Sequence, residues 1–287
     1  MRLVTYSDVS GTHVGALSEG GVVALDAVAA SMLDLIDGGP EALAKARALA
    51  ASGPAQPVEG VRLLAPIPRP RQNVVCLGMN YVDHAYESQR ARGRDPKLPG
   101  SPIFFTKAVT AVCAHEDEIP LDPDVTTQLD YEAELAFVVG RGGKNIAPEQ
   151  ALGHIFGYTI VNDISARDLQ NWHVQFFKGK SLDRSCPIGP WIVTADEIPD
   201  PAALGLRLRL NGEQRQSATV SQLIFDIPTI IASLSLGQTL EPGTIVSTGT
   251  PSGVAMGRDP QEFLKPGDVV EIEIDQIGVL RNTIVAG

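Results

Sequence analysis

The chain has little of what would make it secreted, membrane-bound or nucleic-acid-binding. Its 287 residues contain no apolar run of about 18 residues, the length a spanning helix needs. The opening MRLVTYSDVSG has no apolar stretch of the kind, about 7–15 residues long, that marks a secretory signal. A cytoplasmic location is therefore the default expectation, with no membrane partner. Cysteine is scarce: Cys76, Cys113 and Cys186 are odd in number, far apart and in no C-x-x-C arrangement, which argues against a disulfide framework and against a thiolate zinc cluster. Reduced, mostly buried thiols are expected. Positive charge is also short, with 23 Lys and Arg against 34 Asp and Glu and a formal charge of −11. No basic stripe is available to neutralise phosphates, so no nucleic-acid partner is expected. An anionic small molecule would need local positive charge, which a metal and a few Arg or Lys in one pocket can supply.

Familiar catalytic and nucleotide signatures are missing as well. There is no G-x-S-x-G nucleophile elbow. Gly179-Lys180-Ser181 looks like the end of a P-loop, but that motif requires glycine where Val174 stands. Gly140 to Asn145, GRGGKN, follows a strand without matching G-x-G-x-x-G and reads as a tight turn.

What is present is an ordinary soluble core, 44% hydrophobic, enough for one large or two modest domains. Residues 2–6, 12–17 and 21–25 read as a small antiparallel meander, and Pro40 to Ala51 as a helix stopped by Ser52-Gly53-Pro54. Residues 1–65 are taken as a small N-terminal α+β module. The proline-rich string from Ala65 to Pro70 is an extended connector, and residues 71–287 are taken as the main domain.

Within that domain, Leu129 to Gly140 (LDYEAELAFVVG) reads as a strand that sets Asp130, Glu132 and Glu134 on one face and Tyr131, Ala133, Leu135 and Phe137 on the other. The apolar Ala-Phe-Val-Val that ends it suits burial on both faces, which places the acids beside a core; a solvated polar face is the competing reading. Gly157 to Ser165 (GYTIVNDIS) is a second apolar strand that ends in polar residues at Asn162 and Asp163. Three carboxylates from two strands can make a hard-metal site of oxygen donors, suited to magnesium or manganese. Zinc is disfavoured, since no Cys or His stands near these acids at ligand-like spacing.

Asn73 to Met79 is a buried-looking strand leading into NYVDHAYE. If that segment is helical, His84 and Glu87 lie three apart on one face, where the carboxylate can fix the imidazole tautomer; a solvated surface pair is the alternative. Gln89 to Gly100 has the composition of a loop that orders over a ligand. Lys107, ending PIFFTK, faces either the pocket or solvent. Arg167 and Gln170 fall on the first turn of a helix after Asp163, with Arg167 either a bidentate carboxylate clamp or the partner of Asp168 or another acid. Phe176 and Phe177 point to a partly buried setting for Lys180. Asn211-Gly212 signals a hairpin, Asp226 a helix cap with Gly237 as terminator, and the last alternating strand turns Val270, Ile272 and Ile274 inward and Glu271, Glu273 and Asp275 outward.

Taken in order, N-Y-x-x-H-x-x-E (Asn80, Tyr81, His84, Glu87), D-Y-E-A-E-L, N-D-I-S-A-R-D-L-Q, G-K-S and S-T-G-T-P-S-G-V resemble the fumarylacetoacetate hydrolase family, from about Arg71 to the C-terminus. The resemblance implies a β-rich α+β fold, a mixed β-roll. It also implies Mg2+ or Mn2+ held by Glu132, Glu134 and Asp163, and a homodimer acting on a small 2-oxo acid. It assigns His84 and Glu87 to a catalytic lid, Lys180 to stabilising an enolate, Gln170 to an oxyanion, and Arg167, Thr250 and Tyr81 to substrate. Hydrolysis of a C–C bond in acylpyruvates is the first expectation. Decarboxylation of oxaloacetate and isomerisation, lyase or hydratase chemistry on hydroxymuconate-type or related acids are alternatives. A non-catalytic metal-dependent binding protein is the rival from another class, and the presence of both His84 and Glu87 argues against it.

Overall fold

The computed structural model describes residues 1–93 and 95–287. The N-terminal meander forms as expected from short apolar segments broken by turn residues: β1 (Arg2–Asp8), β2 (Gly11–Ser18) and β3 (Gly21–Ala24) pair antiparallel in sequence. Helix α1 (Met32–Asp37) is capped by the Ser31 hydroxyl, which accepts from the Asp34 N–H, and α2 (Gly39–Ser52) covers the expected helical run. Strands β4 (Ala55–Gln56) and β5 (Arg62–Leu64) then pair with β3 and β1.

The main part contributes β6 (Val74–Gly78), α3 (Val82–Ala91), β7 (Ile103–Lys107), β8 (Val112–Cys113), β9 (Glu118–Leu121), β10 (Leu129–Asp130), β11 (Ala133–Val139), β12 (Gly143–Lys144) and β13 (Ile155–Asn162). There follow β14 (Ser165–Ala166), α4 (Arg167–Trp172), α5 (Phe177–Lys180), β15 (Cys186–Thr194), β16 (Gly205–Leu210), β17 (Glu213–Thr219), α6 (Ile227–Ser235), β18 (Thr239–Leu240), β19 (Ile245–Ser247), β20 (Val269–Ile274) and β21 (Gly278–Ala286). A 3-10 segment at Pro148–His154 leads into β13.

The large sheet runs β4-β3-β2-β1-β15-β13-β11-β19-β6-β7, with β5 added on β1 and β8 on β15. The N-terminal strands are continuous with it, because Arg2 and Leu3 pair with Val193 and Ile192 of β15. A second sheet, β17-β16-β20-β21-β9, packs over one face. Its inward Leu206, Leu208, Val270 and Ile272 share a core with Leu135 and Phe137 of β11 and Ile160 of β13. On the opposite face Ala136 and Val138 meet Val161, Ile188 and the α1–α2 side chains. Strand β11 is thus buried on both faces, and its acids share the face of Ala136 and Val138. The hairpin at Asn211-Gly212 has φ of +53° and +83°, the left-handed pair that a type I′ turn requires. Asp226 caps α6 by accepting from the Thr229 N–H, and Gly237, at φ +74°, follows its end. No helix of the described residues is long and apolar enough to cross a membrane.

One local expectation is corrected. Leu129 to Gly140 is not a single strand, because the ladder breaks at Tyr131 and Glu132 between β10 and β11. There the Glu132 N–H donates to the side-chain Oδ1 of Asn162, and the Tyr131 N–H to Asp130 Oδ1. Asp130, on the far side of the break, is not part of the cluster that Glu132 and Glu134 form with Asp163.

Candidate active site

Glu132, Glu134 and Asp163 come together from β11 and the end of β13, each offering an oxygen within 4.8 Å of the others and each buried. Burying three carboxylates is costly without cations. Lys180 Nζ lies 2.6 Å from Glu132 Oε2 and 2.8 Å from Asp163 Oδ2. Lys107, which the sequence left between pocket and solvent, is fully buried: its Nζ donates to the Ile164 carbonyl and lies 2.8 Å from Asp163 Oδ1. That last contact is an ion pair without hydrogen-bond alignment, so Oδ1 still lacks an aligned donor. Arg167 does not pair with its neighbour Asp168. Its Nε donates to Asp130 Oδ2 at 2.8 Å and its Nη2 to Glu132 Oε1 at 2.7 Å, while Asp168 accepts from Thr126.

Among the described residues, Glu134 is the acid of this cluster without a cation. Its Oε2 accepts from the Ser247 hydroxyl and the Gly249 N–H, and its Oε1 has no partner. Burial first, and then the charges of Asp163 and Glu132, push its carboxyl well above the usual range. Glu132 is also pushed up by burial, but Lys180 and Arg167 outweigh that and hold it below the usual range. Lys180 shows the reciprocal effect: burial works against its ammonium, yet Asp163 and Glu132 leave it raised. An all-oxygen donor set with an orphaned Glu134 Oε1 and an unaligned Asp163 Oδ1 fits a hard divalent cation, as the two-strand spacing implied.

Above the acids lies α3. The sequence expectation of a helical His84–Glu87 pair holds: His84 Nδ1 is 3.3 Å from Glu87 Oε2, and both side chains are largely buried. With Nδ1–H donating to Glu87, Nε2 is left as the lone-pair nitrogen. His84 is close enough to Glu132 to help lower its pKa. The Glu87 carboxylate also accepts from the Gly253 N–H, at 3.0 and 3.2 Å. Asn80 fixes the entry to α3, its amide bonding Phe225 and the Thr248 carbonyl. At the other end, Arg92 Nη2 and Arg167 Nη1 both donate to Gln170 Oε1, which orients that amide. Of the Gln89 to Gly100 segment expected as a loop, Gln89–Ala91 form the last turn of α3, and Arg94 lies outside the described residues.

A cleft is lined by His84, Arg92, Glu132, Arg167, Gln170, Lys180 and Thr250, among others. Tyr81 is not among its lining; the phenol is buried without a hydrogen-bond partner, its pKa raised by burial and then by Glu134. Two contributors had no legible role in the sequence. Asp130 accepts from Arg167 and from the Ala255 and Met256 N–H groups, so it ties the loop below α3 to the acid cluster. Gln216, 1% exposed, accepts from the Ala133 N–H and donates to Thr250 Oγ1 and the Pro251 carbonyl, coupling the acid strand to the Thr250 loop. Asp130 stood in the acidic motif, but nothing in the β17 sequence singles out Gln216.

A buried carboxylate triad that could hold a metal ion, matched by lysines and covered by a His–Glu helix, lies in a two-sheet, strand-rich fold. The chain belongs to the fumarylacetoacetate hydrolase family: residues 73–285 match the fumarylacetoacetate (FAA) hydrolase C-terminal family model. It is 47% identical over 269 residues to oxaloacetate tautomerase YisK of Bacillus subtilis (strain 168), a match covering 91% of this chain and 88% of that one. Fumarylacetoacetate hydrolase (EaFAH) from Exiguobacterium antarcticum superposes with a TM-score of 0.87 at 40% identity, covering all of both chains. Maleylpyruvate hydrolase from Sphingobium sp. SYK-6, in complex with manganese (II) ion and pyruvate, superposes with a TM-score of 0.81 at 31% identity, again over the full length of both.

Proposed function

We propose that this protein is a divalent-metal-dependent enzyme of small 2-oxo acids whose principal reaction is keto–enol tautomerisation of oxaloacetate. The observation that carries this is the His84–Glu87 pair held over Glu132, Glu134 and Asp163. Interconverting the tautomers of a 2-oxo acid moves one proton between the C2 oxygen and C3, with no bond between carbons broken. That demands a positioned base and a stabilised enolate, both of which this cleft can offer. Likeness to an oxaloacetate tautomerase over most of the chain supports the same reading.

Glu132, Glu134 and Asp163 would hold Mg2+ or Mn2+, which supplies electrophilic stabilisation of the enolate's negative charge. His84, its Nδ1 kept on Glu87, takes the proton from C3 and delivers it to the C2 oxygen, or carries it the other way. Lys180, raised and protonated, offsets negative charge on the bound acid, and Gln170 and Thr250 orient it. Arg167 already bonds Asp130, Glu132 and Gln170, so its part is to steady the cluster and Gln170; a direct clamp on substrate carboxylate is a lesser role.

Hydrolysis of acylpyruvates, the first expectation from the sequence, is retained as a second reading, supported by the likeness to maleylpyruvate hydrolase. The same His84 would then activate water for attack at C4. Freshly dissolved enol oxaloacetate, followed by ultraviolet absorbance with added Mg2+ or Mn2+, decides between them. Acceleration that chelator abolishes is expected. Turnover of acylpyruvates with no effect on tautomerisation would overturn the first reading in favour of the second.

A further inference from the structure

We propose that Gly257 is a positioning residue: its lack of a side chain makes room for the Glu87 carboxylate to hold His84. The inference rests on the His84–Glu87 proton transfer proposed above and adds the element that decides whether the pair can form. A Cβ built on Gly257 would lie 2.2 Å from Glu87 Cγ and 2.3 Å from both Cδ and Oε1. None of these distances is tolerable for bonded-out carbon and oxygen, so one partner must move.

The chain leaves only Glu87 free to do so. The turn Ala255–Gly257 is pinned from behind, since Asp130 accepts from the Ala255 N–H at 2.7 Å and the Met256 N–H at 3.1 Å while bonding Arg167. The atoms met on the other side belong to the flexible end of Glu87, whose carboxylate sits between His84 Nδ1 and the Gly253 N–H. Gly257 is not among the glycines with positive φ, so alanine suits its backbone. Gly253 is the contrast: φ is +105°, and a Cβ there would lie 2.1 Å from the Arg215 carbonyl oxygen, so its glycine serves the fold. Alanine at 257 therefore displaces a carboxylate, and the fold remains.

The test is a double-mutant cycle between Gly257→Ala and Glu87→Ala, read by kcat on oxaloacetate and by 15N NMR of the His84 ring. Gly257→Ala is expected to lower kcat about 10- to 100-fold with Mn2+ binding and Tm unchanged. It should cost nothing further once Glu87 is alanine, and should shift the His84 nitrogen signals in the same direction as Glu87→Ala. Equal losses in both backgrounds, or His84 signals unmoved by Gly257→Ala, would overturn it. If the signals move together while Glu87→Ala keeps full turnover, Gly257 still positions Glu87 and it is the proton-transfer reading that fails.

Discussion

Two segments of this protein carry acids at every second position and meet opposite fates. Along β20 and the residue that follows it, Glu271, Glu273 and Asp275 point to solvent and pair with Arg207 and Arg209 on β16 and with Arg281 on β21, with side chains 35–42% exposed. In the β10–β11 segment, Asp130, Glu132 and Glu134 are buried, and Arg167 and Lys180 come from helices far along the chain. The alternation is the same; what differs is the second face. One face of β20 packs on the core and the other is wet, whereas β11 has a core on each side. Acids on the first are screened and worth little singly. On the second, each carboxylate needs a partner, and Glu134, left without a cation among the described residues, is the acid whose partner would be the proposed divalent ion.

That contrast breaks most sharply at the ligands. Glu134→Ala, Glu132→Ala or Asp163→Ala is expected to lower kcat/KM by about 10^3-fold or more, because several kcal/mol of charge stabilisation leave with the metal. Calorimetric titration with Mn2+ should show binding lost, while circular dichroism stays native. Full activity in a verified metal-free preparation would defeat the assignment. Next comes the helix above the acids: His84→Ala and Glu87→Gln should each slow turnover about 10^2- to 10^4-fold with Mn2+ affinity retained. Wild-type turnover in both would reduce the pair to a packing contact. A third effect concerns the apo fold. Lys180→Met leaves Glu132 and Asp163 buried without their shared ammonium, and urea unfolding of metal-free protein should show a loss of about 3–5 kcal/mol. An unchanged midpoint would mean the acids protonate or hydrate at no cost.

Much of this was legible in the sequence because it is local. Glu132 and Glu134 two apart, Asp163 at a strand end, and His84 three before Glu87 each follow from the period of one element. The N-terminal meander and the Asn211-Gly212 hairpin were legible for the same reason. What escaped depends on residues far apart in the chain. The break at Tyr131 arises because the Asn162 side chain takes the Glu132 N–H from 30 residues away. Arg167 could not be assigned its acid while Asp168 stood beside it, and Asp168 is engaged by Thr126 and the Thr127 N–H. Lys107 ends an apolar strand in a position where either direction is physically sound; only the placement of Asp163 decides it. Pairing of β1 with β15 spans nearly the whole chain, so the N-terminal segment read as a separate module although its strands extend the main sheet.

The smallest expected effect completes the comparison at the exposed strand. Glu273 Oε2 lies 2.9 Å from Arg209 Nη1, within 0.3 Å of the buried pairs at 2.6–2.8 Å, yet both side chains are more than a third exposed. At such a site water and salt screen the attraction, and fixing two long side chains offsets much of what remains. Glu273→Ala is therefore expected to change stability by less than about 1 kcal/mol, with no effect on kcat/KM or Mn2+ binding. The loss should shrink further as salt rises through about 1 M, where the screening length falls to about 3 Å. Lys180→Met should keep most of its cost at the same ionic strength, since its acids are shielded from ions by the core on both sides. Urea titrations of both variants at low and high salt make the measurement. A salt-insensitive loss of several kcal/mol at Glu273 would show that distance between charges, and not burial, governs these strands, and the contrast drawn between β11 and β20 would fail.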